Sequence, residues 1–408
     1  MSNAAEHEYS VIPVTGRATR KMFASVARAI YRDDPHWICP LDRQIEQVFD
    51  PRSNPCFEAG EAARWILKDR WGRPAGRIAA FVNYGKVSRQ PVPSGGIGFF
   101  ECVESAPAAR ILFDTAIAWL RARDMKAAEG PVNFGENDRY WGLLVEGFTA
   151  PPFTTNYNRP YYRSLFEAYG FRVTYEMFTS EIDLSRALDE RFARIASRLG
   201  QRNDIEVRHA SRDHLPEFAA YFREIYNDAW RFHDGFTPLS TGQAERFARE
   251  MRYLVIDRFC PFAFVDGEPA GCIIAAPDLN QIFRKFRGRP GWLQGMLFNR
   301  RRKNDFKWYR DRGILTRAHA IAIGVRPRFQ QRGIESAMIM SSIGTLTNLG
   351  FTRIELRWAG DFNPKIIRLH AAVGAYRIRK HVVMKVMFNR GEAVTAPTPI
   401  PPGKILEK

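Results

Sequence analysis

The residues with the clearest chemical purpose lie together between Ile321 and Ile334. Ile321-Ala-Ile-Gly-Val325 is an apolar run of the kind that forms a strand. Arg326-Pro-Arg-Phe follows, then Gln330-Gln-Arg-Gly333-Ile334, then an amphipathic stretch ending at Leu349 that predicts a helix over 333–349. A strand, a tight basic loop and a helix start make an anion site. The first N–H groups of a helix have no partner of their own, and the helix dipole places positive potential there. Gly333 lets the backbone approach a ligand closely, and Arg326, Arg328 and Arg332 add charge. The guest that suits this arrangement is a pyrophosphate. A basic strand-to-helix turn with no ligand is the competing reading, because a single glycine turn is a weak signal.

Two further stretches hold groups suited to proton transfer and amine binding. Gly130-Pro-Val-Asn133-Phe-Gly-Glu136-Asn137-Asp138-Arg-Tyr140-Trp141 mixes carboxylates, amides, glycine and aromatic rings. Glu136 and Asp138 are candidate general bases there, and Asn133, Tyr140 and Trp141 candidate substrate contacts. An Asx-rich structural turn is the alternative. Tyr226-Asn227-Asp228-Ala-Trp230-Arg-Phe-His233 offers His233 as a base, because imidazole titrates near neutral pH, with Asn227 and Trp230 as substrate contacts.

The chain that must position these groups has 408 residues, enough for two domains. Hydrophobic residues make up 45% and charged residues 26%, an ordinary globular mixture. No apolar run is long enough to span a bilayer. The first residues, Met1 to Tyr9, lack an apolar signal core, which points to a cytoplasmic protein. Cys39, Cys56, Cys102, Cys260 and Cys272 are odd in number, scattered and without a C-x-x-C pair. Free thiols are expected, with neither a disulfide framework nor a metal site. The net charge of +17 attracts anions: nucleic acid, an anionic membrane or a phosphate-bearing co-substrate.

Two similar series of elements follow one another. Each runs strand, helices, hairpin, strand, helix, strand, helix, strand. The expected class is α/β (α+β), with domains over 8–184 and 205–390, a helical linker over 185–204 and a disordered tail over 391–408.

The stretch Val325-Arg-Pro-Arg-Phe-Gln330-Gln-Arg-Gly333-Ile334 resembles the acyl-CoA loop of the GNAT superfamily, with Gln330 and Gly333 at the pattern positions and Glu335 where Gly or Ala is usual. Downstream, Asn363-Pro-Lys-Ile-Ile-Arg-Leu-His370-Ala-Ala-Val-Gly374-Ala375 is similar to the closing motif of that superfamily. The resemblance implies two tandem GNAT-like domains, each a central mixed sheet flanked by helices. It also implies acyl-CoA or acetyl-CoA as co-substrate, bound by Ile323, Val325, Arg328, Gln330, Arg332, Gly333, Ile334 and Asn363. No tightly bound cofactor is implied. The acyl group would pass directly to an amine, with the Val325 N–H polarising the thioester carbonyl and Tyr376, by analogy, giving a proton to the leaving thiolate. The N-terminal half ends similarly, at Asn158 to Phe171, but has no Gln-x-x-Gly loop after its strand 96–103. It is expected to keep the fold without the co-substrate.

An inserted segment, 279–312, interleaves basic residues with Phe, Trp, Leu and Met. It reads as a surface for an anionic membrane. The alternatives are a hairpin packed on its own domain and a single-stranded nucleic-acid platform. Nucleic acid is not favoured, because no nucleic-acid module accompanies it. The whole chain also resembles a bacterial group of tandem GNAT-like proteins that includes ceramide synthases. This implies a long-chain amine as acceptor and a peripheral position on the inner membrane face. Acetylation of a soluble amine or peptide, a non-catalytic lipid- or nucleic-acid-binding role, and aminoacyl transfer from tRNA are the other readings.

Overall fold

The computed structural model describes residues 8–135, 137, 139–186, 194, 204–231, 236, 238–252, 256–389 and 391–400. The candidate bases Glu136, Asp138 and His233 lie outside the described residues, as do most of the expected linker 185–204 and the tail from residue 401. The chain divides into two compact units. The N-terminal unit holds the residues up to Met177, with Phe283–Pro290 and Arg379–Pro397. The C-terminal unit holds Phe178–Ile282, Gly291–Ile378 and the residues from Thr398. This division differs from 8–184 and 205–390 at three places. The first unit's opening stretch ends at Met177, and the unit takes in 283–290 from within the insertion and Arg379–Pro397.

In the N-terminal unit, β1 (Tyr9–Pro13), β2 (Gly60–Asp69), β3 (Pro74–Asn83) and β4 (Ser94–Cys102) form an antiparallel series. β5 (Ala127–Gly130) runs parallel to β4. Helix α1 (Arg17–Ile30) precedes α2 (Asp42–Val48), and α3 (Ala106–Arg121) follows β4. Three features of the α3 sequence make it helical. Ser105 accepts the Ala108 N–H at 3.3 Å, proline stands in the first turn, and Ala108, Leu112, Phe113, Ala116 and Leu120 recur on one buried face. Phe113 stacks on Phe100 of β4 with centroids 4.7 Å apart. β6 (Leu143–Glu146), α4 (Tyr162–Tyr169) and the first half of β7 (Arg172–Asp183) follow. The last strand of the chain, β13 (Tyr376–Met387), completes this sheet. Met384↔Gly130 to Met387↔Ala127 pair with β5, and Lys380↔Glu146 to Val382↔Leu143 with β6, both antiparallel.

The C-terminal unit opens with the second half of β7, then β8 (Ile205–His209), α5 (Leu215–Ala229) and α6 (Thr241–Met251). The hairpin β9 (Pro261–Val265) and β10 (Glu268–Pro277) follows. After the inserted helix α7 (Trp292–Arg301) come β11 (Arg317–Val325), α8 (Ile334–Asn348), β12 (Arg353–Gly360) and α9 (Pro364–Ala372). The strand order is β13-β7-β12-β11-β10-β9-β8, with only Tyr376–Ile378 of β13 in this unit. β11 and β12 are parallel, as a crossover through α8 requires.

No helix among the described residues is long and apolar enough to cross a membrane, and no cluster of three or more metal-ligating side chains occurs among them. Residues 391–400 form no helix or strand, but part of this stretch is tied down: the Ile400 N–H donates to the Phe362 carbonyl at 2.8 Å.

Candidate functional site

The parallel pairing of β11 with β12 runs from Arg317↔Arg353 to Ala320↔Leu356 and stops there, although β11 continues to Val325 and β12 to Gly360. On its other side β11 pairs with β10 as far as Gly271↔Val325. A bulge there sets Ala275 opposite Ala320 and Ile274 opposite Ala322, leaving Ile321 as the extra residue. A bulge bends its strand, and here β11 parts from β12 where the extra residue sits. The Arg326 N–H donates to the Ala270 carbonyl of β10 at 2.8 Å. Because backbone groups alternate along a strand, the Ile323 and Val325 N–H groups face the open side. An extended guest can therefore pair with β11 as an added strand would.

The loop after β11 is built by long-range ion pairs. Arg326 is buried, and its guanidinium reaches Asp228 (2.7 Å), Glu224 (2.8 Å), Glu268 (2.9 Å) and the Pro269 carbonyl (3.0 Å). It cross-links α5, the β9–β10 hairpin and the loop, so its expected role as added charge for a phosphate is corrected to a structural one. Arg328 pairs with Glu268 as well. Gln330 donates to the Val325 carbonyl at 2.9 Å and accepts from Lys365. Its amide holds the loop closed and ties it to the start of α9. Asn363, one of the expected co-substrate contacts, caps α9 by accepting the Ile366 N–H at 3.4 Å.

Gly333 stands at the α8 N-terminus with φ +80° and no side-chain cap. That left-handed conformation suits glycine and is costly for a residue with a Cβ. The free N–H groups of the first turn of α8 lie beside exposed Arg332, which stacks 5.7 Å from the Phe329 ring and makes no ion pair among the described residues. The glutamate of the first turn, Glu335, has the Lys365 ammonium as a coulombic neighbour.

Further down β11, the structure gathers charges that the sequence reading did not single out. Arg317 lies between Asp278 (2.6 Å) and Glu355 (2.9 Å), both with fully buried side chains. His319 faces Glu355 across the β11–β12 register. It is 2% exposed, and its Nδ1 has no partner among the described residues. Burial, with Arg357 and Arg317 nearby, holds this imidazole well below its usual pKa, so it is neutral at pH 7. The signal was legible: Arg317-x-His319 and Arg353-x-Glu355-x-Arg357 alternate in two otherwise apolar strands.

Residues 219–375 match the acetyltransferase (GNAT) family. This region is a GNAT domain. Over 387 residues the chain is 29% identical to the bacterial ceramide synthase of Caulobacter vibrioides (strain NA1000 / CB15N), covering 92% of this chain and 97% of that protein. It is 24% identical over 397 residues to Protein YghO of Escherichia coli (strain K12), covering 93% and 96%. Among solved structures, a tandem GNAT protein from the clavulanic acid biosynthesis pathway aligns with a TM-score of 0.57 and 13% identity, over 95% of this chain and 100% of that one. A GCN5-related N-acetyltransferase from Sphaerobacter thermophilus aligns with a TM-score of 0.51 and 12% identity, over 93% and 96%. The structural likenesses carry the fold: two GNAT-like domains in tandem. The family carries the chemistry class, acyl transfer with acetyl- or acyl-CoA as co-substrate.

Within the GNAT domain, Ile323, Val325, Arg328, Gln330, Arg332, Gly333 and Ile334 follow one another from the end of β11 to the start of α8, with Ile334 fully buried, and the Gln330–Lys365 contact links this stretch to α9, which Asn363 caps. Trp230 reaches the stretch too, because its ring fills the space a Gly324 side chain would need. Asn227 instead clamps its own loop, accepting from the Leu239 N–H (2.7 Å) and donating to the Leu239 carbonyl (3.1 Å). Tyr376 lies at the start of β13, with β7 and β12 between it and β11, roughly 14 Å away at the usual strand spacing. It donates to Glu181 at 2.5 Å, a bond that raises its pKa. Neither distance nor proton suits a donor to the thiolate at the splay. His370 is buried beside Ser180 (3.3 Å), a packing position. In the N-terminal unit, Asn133 is buried with Oδ1 lacking a partner among the described residues. Tyr140 has φ +48° and packs on Phe99, and Trp141 donates to the Tyr175 hydroxyl at 2.9 Å.

Proposed function

We propose that this chain transfers an acyl group from acyl-CoA directly to the primary amine of a long-chain, sphingoid-type base, giving an amide of ceramide type. The observation that carries the transfer is the open edge of β11 leading to the uncapped, basic start of α8. The CoA pyrophosphate would rest on the α8 N–H groups with Arg332 beside it, and the pantetheine would pair along Ile321–Val325. The Ile323 or Val325 N–H would then donate to the thioester oxygen as it becomes an oxyanion. The amine nitrogen forms a bond to the carbonyl carbon, the C–S bond breaks, and CoA leaves as a thiol once protonated.

A protein nucleophile is unnecessary, and the GNAT-domain thiols are poor ones. Burial pushes the Cys260 thiol up to about 11 and Cys272 higher still, so neither is a thiolate at neutral pH. An alkyl amine is mostly protonated near pH 7, so a base must take a proton. His319, neutral and with an unengaged ring nitrogen, is the described group whose state suits that task; Glu136, Asp138 and His233 are the competing candidates. The choice of a lipid acceptor is supported by the similarity, along nearly its whole length, to a protein named as a ceramide synthase.

Mass spectrometry of the purified chain with palmitoyl- or acetyl-CoA, and a sphingoid base or a polyamine, tests this. An N-palmitoyl sphingoid product with matching thiol release is expected. An acetylated soluble amine would replace the lipid reading with soluble N-acetyl transfer. No thiol release with any pair would end the enzymatic reading. His319→Gln should lower kcat by about 100-fold and remove a limb of the kcat–pH profile with KM little changed; an unaltered profile would pass the role to another residue.

A further inference from the structure

The inserted segment is not one uniform surface. Phe283, Phe306 and Tyr309 are buried, Arg284 donates to the Pro35 carbonyl at 2.7 Å, and Arg289 pairs with Asp42. Lys307 pairs with Asp311 at 2.7 Å. All but the Lys307–Asp311 pair, which lies within the segment, fasten it to the protein.

Helix α7 is different. None of its residues is buried. Trp292, Leu293 and Met296 are 81%, 48% and 52% exposed. They form the one cluster among the large exposed hydrophobic residues described, the others being Trp71, Tyr84, Val173 and Tyr376 on separate elements. Trp71 is capped by Arg70 and Arg73, 4.0 and 4.5 Å from its ring; Trp292 has no such cover among the described residues. Trp292, Met296 and Arg300 recur at i, i+4 and i+8, one stripe of a helix, with Leu293 beside them and Lys303 just past the helix end. Arg300 and Lys303 make no ion pair or hydrogen bond among the described residues. Phe298 turns the other way, toward Phe306 (6.3 Å) and Tyr309 (6.4 Å), so the helix is held from beneath with its apolar stripe outward.

We propose that α7 is a peripheral membrane anchor that rests on an anionic bilayer. Trp292, Leu293 and Met296 would enter the headgroup–acyl boundary, and Arg300 and Lys303 would meet lipid phosphates. Apolar side chains standing in water next to unpaired cations are the composition such a surface requires. A single-stranded nucleic acid fits less well, because stacking successive bases needs several free aromatic faces and, Trp292 apart, those of this segment are occupied. Trp308 lies between Arg301 (3.7 Å) and Arg312 (4.3 Å), and Phe306 and Tyr309 are interior. This anchor stands on its own residues and does not depend on the acceptor proposed above.

The test is sedimentation of the full chain with vesicles of phosphatidylcholine alone, or mixed with phosphatidylglycerol, at low and high salt. Binding to the phosphatidylglycerol vesicles that weakens with salt is expected. Trp292→Glu with Met296→Glu should weaken it by tenfold or more, on the order of the apolar contribution of two side chains. Arg300→Glu with Lys303→Glu should remove the preference for the anionic lipid. These side chains are exposed, so the melting temperature should not move, and an unchanged melt separates a lost anchor from a lost fold. Native protein that ignores both vesicles, apolar variants that bind as well as the native chain, or retention by single-stranded RNA in place of vesicles would each overturn the anchor.

Discussion

The two units treat the same structural opening in opposite ways. In the GNAT domain, β11 leaves β12 after Ala320↔Leu356, and the two strands do not pair again although both run on. In the N-terminal unit, β4 leaves β5 after Gly96↔Glu129, and the protein's own groups close it. The Val132 N–H donates to the Ile97 carbonyl at 2.8 Å. The Tyr162 hydroxyl accepts from the Cys102 N–H (2.9 Å) and donates to Glu101 (2.8 Å), and the Tyr161 hydroxyl donates to the Cys102 carbonyl (2.8 Å). Arg77 balances the buried Glu101 at 3.3 Å. A cavity of about 60 Å³ remains, lined by Arg77, Glu101 and Tyr162 among others. The helices after the two strands differ in the same sense: Ser105 caps α3, and α8 begins uncapped at Gly333. A splayed pair of strands in this fold is therefore a place that must be filled. One domain fills it with tyrosines, and the other is the place proposed above for the acyl-CoA.

The largest expected effect tests the asymmetry of the helix starts. Gly333→Val forces a β-branched residue into a left-handed position and should cut acyl transfer about 100-fold or more, read as thiol release at saturating acyl-CoA. Ser105→Ala should cost about 1 kcal/mol of stability and leave turnover within a few-fold. Equal losses of activity would break the comparison.

Acid should destabilise the N-terminal unit through buried His381 and the GNAT domain through buried His370 and His319. Burial lowers His370 in the GNAT domain and His381 in the N-terminal unit to about 4. A histidine depressed in the folded state stabilises above its unfolded pKa of about 6.5, and that contribution is lost as pH falls from there toward 4, because the unfolded chain takes up the proton first. The loss is up to about 3 kcal/mol per site. Denaturant melts across this window should flatten in His381→Gln for the N-terminal unit, and lose only part of their slope in His370→Gln for the GNAT domain, where His319 remains.

Tyr162→Phe removes the hydroxyl that closes the N-terminal splay and should cost about 2 kcal/mol by leaving the Cys102 N–H and Glu101 short of a partner. Calorimetric titration with acyl-CoA should still give one site per chain; two sites would mean that the N-terminal opening is not closed to the co-substrate. The smallest effect belongs to Glu335→Gln. Removing a carboxylate from the first turn of α8 should tighten acyl-CoA binding about threefold at low salt.

Much of this was legible in the chain. The β11–loop–α8 unit lies within one local stretch, and periodicity places helices over 215–229, 241–253, 333–349 and 364–373, where the structure has Leu215–Ala229, Thr241–Met251, Ile334–Asn348 and Pro364–Ala372. What stayed hidden is non-local. The partners of Arg326 come from α5 and from the β9–β10 hairpin, so a loop arginine looked available for phosphate when it is held by three carboxylates. Tyr376 looked free until β7 brought Glu181 to it. The insertion read as one basic, aromatic surface because sequence alone does not tell Phe306, which is interior, from Trp292, which is not.

The pairing of β13 with β5 and β6 also sets the order in which the protein can be completed. The strand that closes the N-terminal sheet is synthesised only after residues 131–378. Until it arrives, β5 and β6 each present an unpaired edge, the kind of surface that recruits other chains. A fragment ending at residue 184 lacks that strand and should aggregate. Supplying residues 379–397 behind it through a flexible linker should restore a soluble sheet.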